Sequence, residues 1–255
     1  MSTLPRTPSF ALDGRRALVT GAGRGIGLAA ACALAQAGAA VDLVARSTDE
    51  ITALAEALGK DGHTARAHAL DVTDIDASAA FVAENGPYDI LVNNAGMNRP
   101  APLTDMTPAD YDAVTDLNVR AAYFLMQAVV KGMIAAGKGG SVINMSSQMG
   151  HVGGANRTVY CATKHAMEGF TKALAWEVGT HGIRVNTLCP TFIRTPMTAG
   201  MLADPEFERS VVSRIALGRV GEAEDLMGAV VFLAGDASRL VTGTSLLVDG
   251  GWTAQ

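Results

Sequence analysis

Residues 16–27 read RALVTGAGRGIG, and the order of residue types along this stretch decides the fold. The short apolar run RALVT (16–20) has the composition of a buried strand. It passes without a linker into TGAGRGIG (20–27), and from about residue 25 to residue 37 the chain is alanine-rich and suited to a helix. Each glycine has its own use: Gly21 permits the tight turn, Gly25 lets the backbone approach a ligand, and Gly27 lets the helix sit close on the strand. A helix beginning here offers unpaired N–H groups and a partial positive charge, which suit a pyrophosphate. A glycine-rich loop is a weak signal alone. Between a first strand and a first helix it points to a dinucleotide, with Gly21, Arg24, Gly25, Ile26 and Gly27 as the expected contacts.

The alternation continues outward from this unit. AAVDLVA (39–45) leads to a helical pattern at about 48–58, and further apolar runs follow: ARAHAL (65–70), DILVN (89–93), SVINM (141–145), IRVNTLC (183–189) and SLLV (245–248). Long helical patterns cover 108–136 and 159–181. Such βα alternation implies α/β architecture: one Rossmann-type domain over 1–255, with a doubly wound parallel sheet of about seven strands and helices on both faces. The segment 190–218, with Pro196, Gly200 and Pro205, is the least regular and is expected to be an irregular loop serving as a lid or binding loop.

Composition narrows the function. At 255 residues and 49% hydrophobic, the chain can bury one substantial core, and a formal charge of −5 lacks the basic footprint of a nucleic-acid binder. The three cysteines are scattered with no CxxC pair, so a reducing, cytoplasmic setting is expected, without a disulfide framework or a metal centre. The N-terminal MSTLPRTPSF lacks the charged start and apolar core of a signal peptide. No charge occurs between Arg24 and Asp42, yet that run is rich in glycine and alanine and falls short of the roughly 18 residues of a membrane span. It reads as a buried helix feeding a strand, and no membrane partner is expected.

The choice of dinucleotide is written at the end of the second strand. A carboxylate there would hold the 2′-hydroxyl of an NAD ribose, whereas a 2′-phosphate wants arginine. The sequence is LVARS, with Arg46 beyond the strand tip and Asp42 three residues too early for its carboxylate to serve. Arg24 within the glycine loop reaches toward the same phosphate. NADP(H) is therefore favoured, with NAD(H) as the alternative.

The reacting end is TVYCATK (158–164), which places Tyr160 and Lys164 four residues apart on one helix face. A phenol of pKa about 10 is a poor base near neutrality. A neighbouring ammonium and the positive nicotinamide ring both favour phenolate and together are expected to lower that value. Tyr160 would then pass a proton to or from a substrate oxygen. The pair alone is common by chance.

In the company of the other motifs it is not. From TGAGRGIG through NNAG (93–96), LN (117–118), the serine pair at 146 and 147 and Tyr160/Lys164 to VTG and VDGG near the C-terminus, nearly the whole chain resembles the short-chain dehydrogenase/reductase family. That resemblance implies a hydride-transferring oxidoreductase acting on a ketone or secondary alcohol. In family members a serine stands about thirteen residues before the tyrosine, with a glycine three after it; Ser147 fits, given Gly150, and Ser146 does not. The resemblance makes Ser147 the donor to the substrate oxygen and Lys164 the group that binds the nicotinamide ribose. It also makes Asn118, in the long helix, the holder of a relay water. It assigns Asp71 and Val72 to adenine, Asn94, Ala95 and Gly96 to the adenosine ribose, and Ile193 and Thr195 to the carboxamide. Asn93 is expected to bridge strands. Where the family has Pro-Gly, this chain has Pro190-Thr191, which changes the pocket rather than the chemistry.

The substrate is less legible. The expected pocket draws on Met97, Asn98, Arg99, Gln148, Met149 and His151, and also on Asn156, Arg157, Thr191, Phe192, Met197, Met201 and Leu202. Arg157 or His151 offers a partner for an acidic substrate, unless each is an ordinary loop charge. Acyl-carrier reductases of the family carry two arginines where this chain has Lys138 and His181, which weakens a 3-oxoacyl thioester relative to small ketones, polyols or sugar derivatives. A dinucleotide-binding relative without catalysis is the competing class, and the intact Tyr160 and Lys164 argue against it. The resemblance also implies a homotetramer.

Overall fold

In the computed structural model, which describes residues 4–254, seven strands form one all-parallel sheet in the order β3-β2-β1-β4-β5-β6-β7. The strands are β1 (Arg16–Thr20), β2 (Ala40–Ala45), β3 (Ala65–Ala69), β4 (Ile90–Asn93), β5 (Gly140–Met145), β6 (Ile183–Pro190) and β7 (Ser245–Val248). The expected strands all form, within a residue of their expected ends. The strand order reverses between β1 and β4, and an open α/β sheet binds its ligand in the crevice beyond such a switch.

Period-two burial sends neighbouring strand residues to opposite faces. Ala17 and Val19 of β1 join Val41, Ile90 and Ile143 under α1 (Gly25–Gln36), α2 (Thr48–Lys60) and α9 (Met227–Ala234). Leu18 joins Leu91 and Val142 under α3 (Ile75–Asn85), α5 (Ala122–Ala136) and α6 (Thr158–Val178). Both faces are covered, which is why the strands read as continuous apolar runs. The helical stretch Pro108–Ala136 is long and apolar enough to cross a membrane. It instead lays Leu125, Met126, Val129 and Met133 into the core.

Two features differ from expectation. The helix over 108–136 is interrupted: α4 (Pro108–Thr115) passes through a π turn (Asp116–Ala121) before α5. The apolar periodicity continues across that turn, so nothing in the pattern marks it. The segment 190–218 is also not an irregular loop. It holds α7 (Pro196–Leu202) and α8 (Pro205–Val212), each with its proline in the first turn, where a missing N–H costs nothing. The prolines read as breakers are helix starts. Leu202, Val211, Ile215 and Val220 give this segment a small core of its own, against which Phe192, Phe207 and Trp252 pack.

Candidate active site

The glycine loop is built by exclusion. Gly21 adopts φ +63°, and a Cβ there would lie 3.0 Å from the Asn94 amide. A Cβ on Gly27 would meet the Gly21 carbonyl oxygen at 2.1 Å, so the start of α1 can lie on the turn only with no side chain. Asn94 then locks β4 to β1: its amide donates to the Thr20 and Gly21 carbonyls, while Thr20 Oγ1 accepts from the Asn94 and Ala95 backbones. Arg24 caps α1 without a side-chain hydrogen bond, and no acid stands in the first turn, leaving the helix N–H groups available to an anion. Gly25 faces Thr195, whose Cβ would be 3.2 Å from a Cβ at Gly25. Ile26 packs partly buried against the core.

Within β2, short of its tip, Asp42 is buried and accepts from Arg16 at 3.0 Å and bonds His68 at 3.1 Å. It is unavailable to a ribose. Arg46 is exposed with no acid within 4 Å among the described residues, and it helps hold the Asp71 carboxyl below its usual range. The largest cause of that lowering is the Thr73 backbone N–H, which donates to Asp71 at 3.0 Å. Sequence reasoning missed Glu50 of α2, whose carboxylate lies against Gly23 and 3.8 Å from Arg24. Val72 is buried in the core, as is Ile193. The backbone carbonyl of Ile193 accepts from Thr198, which also bonds Thr195 across the start of α7.

Ser147, Tyr160 and Lys164 converge where β5 ends and α6 begins. Ser147 Oγ accepts from Met149 N at 3.1 Å and shares a hydrogen bond with the Tyr160 phenol. Gly150 has to be glycine, because a Cβ there would lie 2.8 Å from Ser146 Oγ and 3.2 Å from the Lys164 carbonyl oxygen. Ser146 hydrogen-bonds the Leu188 carbonyl through its backbone at 2.9 Å, which makes it a packing residue. Lys164 Nζ donates to the Met145 carbonyl at 2.7 Å and stands 5.5 Å from the centre of the Tyr160 ring.

The electrostatics differ from the sequence expectation. Burial pushes the Tyr160 phenol up to about 12, outweighing the downward pull of the Ser147 hydrogen bond and the Arg157 charge. Lys164 is itself pushed down to about 8 by burial, with Cys189 and Glu168 opposing. Its charge therefore does not dominate the phenol, and Tyr160 rests as an acid.

Asn118 sits in the π turn, fully buried. Its Oδ1 accepts from Met97 N at 2.8 Å, and its Nδ2 donates to the Met97 carbonyl at 2.8 Å and to Thr163 at 3.2 Å. The side chain is thus occupied in pinning the NNAG extension to α6, and Gly96 leaves room for it. Asn93 bridges as expected, donating to Asn144 on β5 and to the Ala122 carbonyl.

A cavity of about 200 Å³ opens beside Ser147 and Tyr160. Of the expected pocket, Asn98, Gln148, Met149 and Arg157 line it, with Thr191, Phe192, Met197 and Met201 from the lid side. Pro100 and Thr198 also line it and were missed; the TPMT spacing of a capping pair (195–198) was the available signal for Thr198. Met97, Arg99, His151, Asn156 and Leu202 do not line it. Arg99 pairs with Asp110, Leu202 is in the lid core, Asn156 makes a left-handed turn at φ +61°, and Met97 is held by Asn118. His151 points to Glu168 at 3.6 Å. Although His151, Glu168 and Cys189 gather within 4.8 Å, Glu168 already accepts from Thr187, Ser245 and Cys189, which makes the group a hydrogen-bond network.

A family model described as Enoyl-(Acyl carrier protein) reductase matches residues 21–253. The chain is 42% identical over 248 residues to gluconate 5-dehydrogenase of Gluconobacter oxydans, covering 96% of each. It is 39% identical to D-erythrulose reductase of Gallus gallus, over 96% of this chain and 98% of that one. Among solved structures, a gluconate 5-dehydrogenase from Burkholderia cenocepacia in complex with NADP and tartrate superposes with a TM-score of 0.93 at 38% identity, covering 96% of this chain and 98% of that one. The chain belongs to the short-chain dehydrogenase/reductase family.

The buried ammonium carries a stability consequence. With its folded pKa lowered from 10.5 to about 8, Lys164 binds its proton more weakly in the folded than in the unfolded chain. The cost is therefore full below about pH 8 and relieved as pH rises toward 10.5. Lys164→Met should raise the unfolding free energy read from urea melts at pH 7 by on the order of 2 kcal/mol, and by less at pH 10. Equal changes at both pH values would contradict a desolvated ammonium.

Proposed function

We propose that this short-chain dehydrogenase/reductase is an NADP(H)-dependent oxidoreductase of polyhydroxylated ketones and secondary alcohols, with Tyr160 as the proton donor and acceptor. The observation that carries the reading is the meeting of Ser147 and Tyr160 at one cavity. Around it the Asn98, Gln148 and Thr191 side chains hold buried oxygens that bond no other group among the described residues. Turned toward the cavity, these oxygens would meet substrate hydroxyls, whereas an apolar ketone would leave them unpaired. The relatives named for gluconate and erythrulose support the same substrate type.

The glycine loop fits a dinucleotide, since the start of α1 carries no side-chain cap and no acid in its first turn, leaving its N–H groups to a pyrophosphate. When bound, the cofactor supplies or accepts the hydride. Gly21, Arg24, Gly25, Ile26 and Gly27 would hold its pyrophosphate; Asp71, Val72, Asn94, Ala95 and Gly96 the adenosine; and Ile193, Thr195 and Lys164 the nicotinamide end. Ser147, whose Oγ accepts from Met149, would turn its O–H from the Tyr160 phenol to the substrate oxygen and steady the negative charge that grows there. Tyr160 gives its proton to that oxygen in reduction and takes it back in oxidation. Lys164 and the π turn at Asn118 connect Tyr160 to a proton supply. A phenol near 12 is protonated at neutrality, so it is ready for reduction, whereas oxidation must first remove the proton. Absence of an acid at the β2 tip and the exposed Arg46 favour a 2′-phosphate; Glu50 beside Arg24 is the feature that would serve NAD(H). A 3-oxoacyl thioester with a long chain fits a cavity of about 200 Å³ poorly.

Exposed apolar side chains on α4, α5 and α6 (Tyr111, Tyr123, Phe124, Ile134 and Trp176) and Leu240 and Leu247 near the edge strand β7 support a homotetramer with two kinds of contact. Sedimentation should give a four-chain mass, and a single-chain mass would rule the assembly out.

Tyr160→Phe should lower turnover about 10²-fold or more while NADPH binding, followed by fluorescence, changes little. In the unaltered enzyme, kcat/KM for alcohol oxidation should climb with pH as the phenol loses its proton. Full activity in the variant would sink the assignment. Arg46→Ala should raise the KM for NADPH about tenfold and leave that for NADH nearly constant, a difference expected of one lost charge-assisted phosphate contact. Equal effects on both would point to NAD(H).

A further inference from the structure

Arg157 caps α6, lines the cavity and precedes Tyr160 by three residues, about one helical turn. Its guanidinium is held from three sides without an acid. Nη1 donates to the Ala155 carbonyl at 3.1 Å, Nη2 lies 3.1 Å from Met201 Sδ, and the group sits over the Phe192 ring at 5.8 Å. Other arginines of this region are neutralised: Arg99 by Asp110, Arg194 by Glu208 and Glu222, and Arg219 by Asp225. Among the described residues no carboxylate comes within 4 Å of Arg157, and no acidic residue lines the cavity. Two of its five N–H donors are in use, one of them on a weak sulfur acceptor. Burial lowers its pKa, the mark of a charge withdrawn from water without a counter-ion.

We infer that Arg157 anchors a carboxylate on the substrate, so that the site takes a polyhydroxy acid in preference to a neutral polyol or ketose. This inference deepens the oxidoreductase reading above and rests on it. A planar fork of donors matches a carboxylate, and the Phe192 ring and Ala155 carbonyl hold the fork in one orientation. Arg157 is the one cation among the cavity-lining residues, so it balances one negative charge and suits a carboxylate better than a phosphate dianion. His151, the other cation considered for this role, is turned to Glu168. With the acid end held one helical turn from Tyr160, the carbons between lie along Asn98, Gln148 and Thr191. Because Met201 and Phe192 belong to the lid, the same guanidinium ties substrate charge to lid position.

The test compares matched substrates with NADPH: 5-keto-D-gluconate, the neutral ketose L-sorbose, and D-fructose 6-phosphate. The unaltered enzyme should prefer the keto acid. Arg157→Gln should lower kcat/KM for the acid about 50-fold, the size of a lost charge-assisted pair, and for L-sorbose less than about fivefold. Arg157→Lys should fall between. A second readout needs no turnover: with NADP+ present, D-gluconate should raise the melting temperature of the unaltered protein more than sorbitol does, and Arg157→Gln should abolish the difference. Equal losses on acid and ketose, a preference for the ketose or the phosphate ester, or no gluconate-specific shift would overturn the anchor. In each case turnover of L-sorbose would leave the oxidoreductase reading standing. Absence of turnover on all three, with the gluconate shift intact, would overturn that reading and keep the anchor.

Discussion

The site depends on one hydrogen bond, from the buried Lys164 ammonium to the Met145 carbonyl at the end of β5. It fixes the fourth residue after Tyr160 to the strand that runs directly into Ser147, so helix and strand can meet in only one register. Withdrawing an ammonium from water is expensive, and its low pKa is the sign of that cost. The cost falls on stability, and the burial of Val159, Met167, Ala175 and Val178 holds the rest of α6 in place. Glu168, one turn further along, repeats the arrangement with opposite charge, accepting from Thr187 and Cys189 on β6. Two buried charged groups on one helix thus pin it to two adjacent strands.

The strands and the phosphate end were legible because their causes are local. Gly21 has to turn at positive φ and Gly27 has to clear the Gly21 carbonyl six residues earlier, and RALVT is apolar because both of its faces are covered. The offset from Ser147 to Tyr160 was legible for another reason: it is part of the motif order by which the chain resembles its family, since the connection from Met145 to Thr158 is long enough to vary. What escaped reading had its cause at a distance. The π turn at Asp116–Ala121 exists because Asn118 reaches Met97 and Thr163, residues that the periodicity of 108–136 does not contain. The lid helices were hidden by Pro196 and Pro205, since proline ends one helix and begins another, and only the following residues distinguish the two.

The phenol shows the same division. Proximity in sequence placed Lys164 beside Tyr160, and proximity argued for a lower pKa. Burial is a property of the whole fold and acts on both groups, raising one to about 12 and lowering the other to about 8. Desolvation therefore outweighs the pair's mutual attraction, and a neutral phenol close to a weakly held ammonium is the resting arrangement. The chain's own groups thus supply an acid. A group that stabilises phenolate has to arrive with the reactants.

Reaction and recognition are built on different materials. Ser147, Tyr160 and Lys164 stand on β5 and α6, against the central sheet. Thr191, Phe192, Met197 and Met201 come from the segment after β6, whose apolar side chains pack mainly on one another and on Trp252. That segment has a small core of its own, separate from the contacts that hold β5 against α6, and only Ile193 reaches into the main core. Arg157 is the residue where these two parts meet: its backbone caps the helix that carries Tyr160, and its guanidinium lies on the lid at Phe192 and Met201.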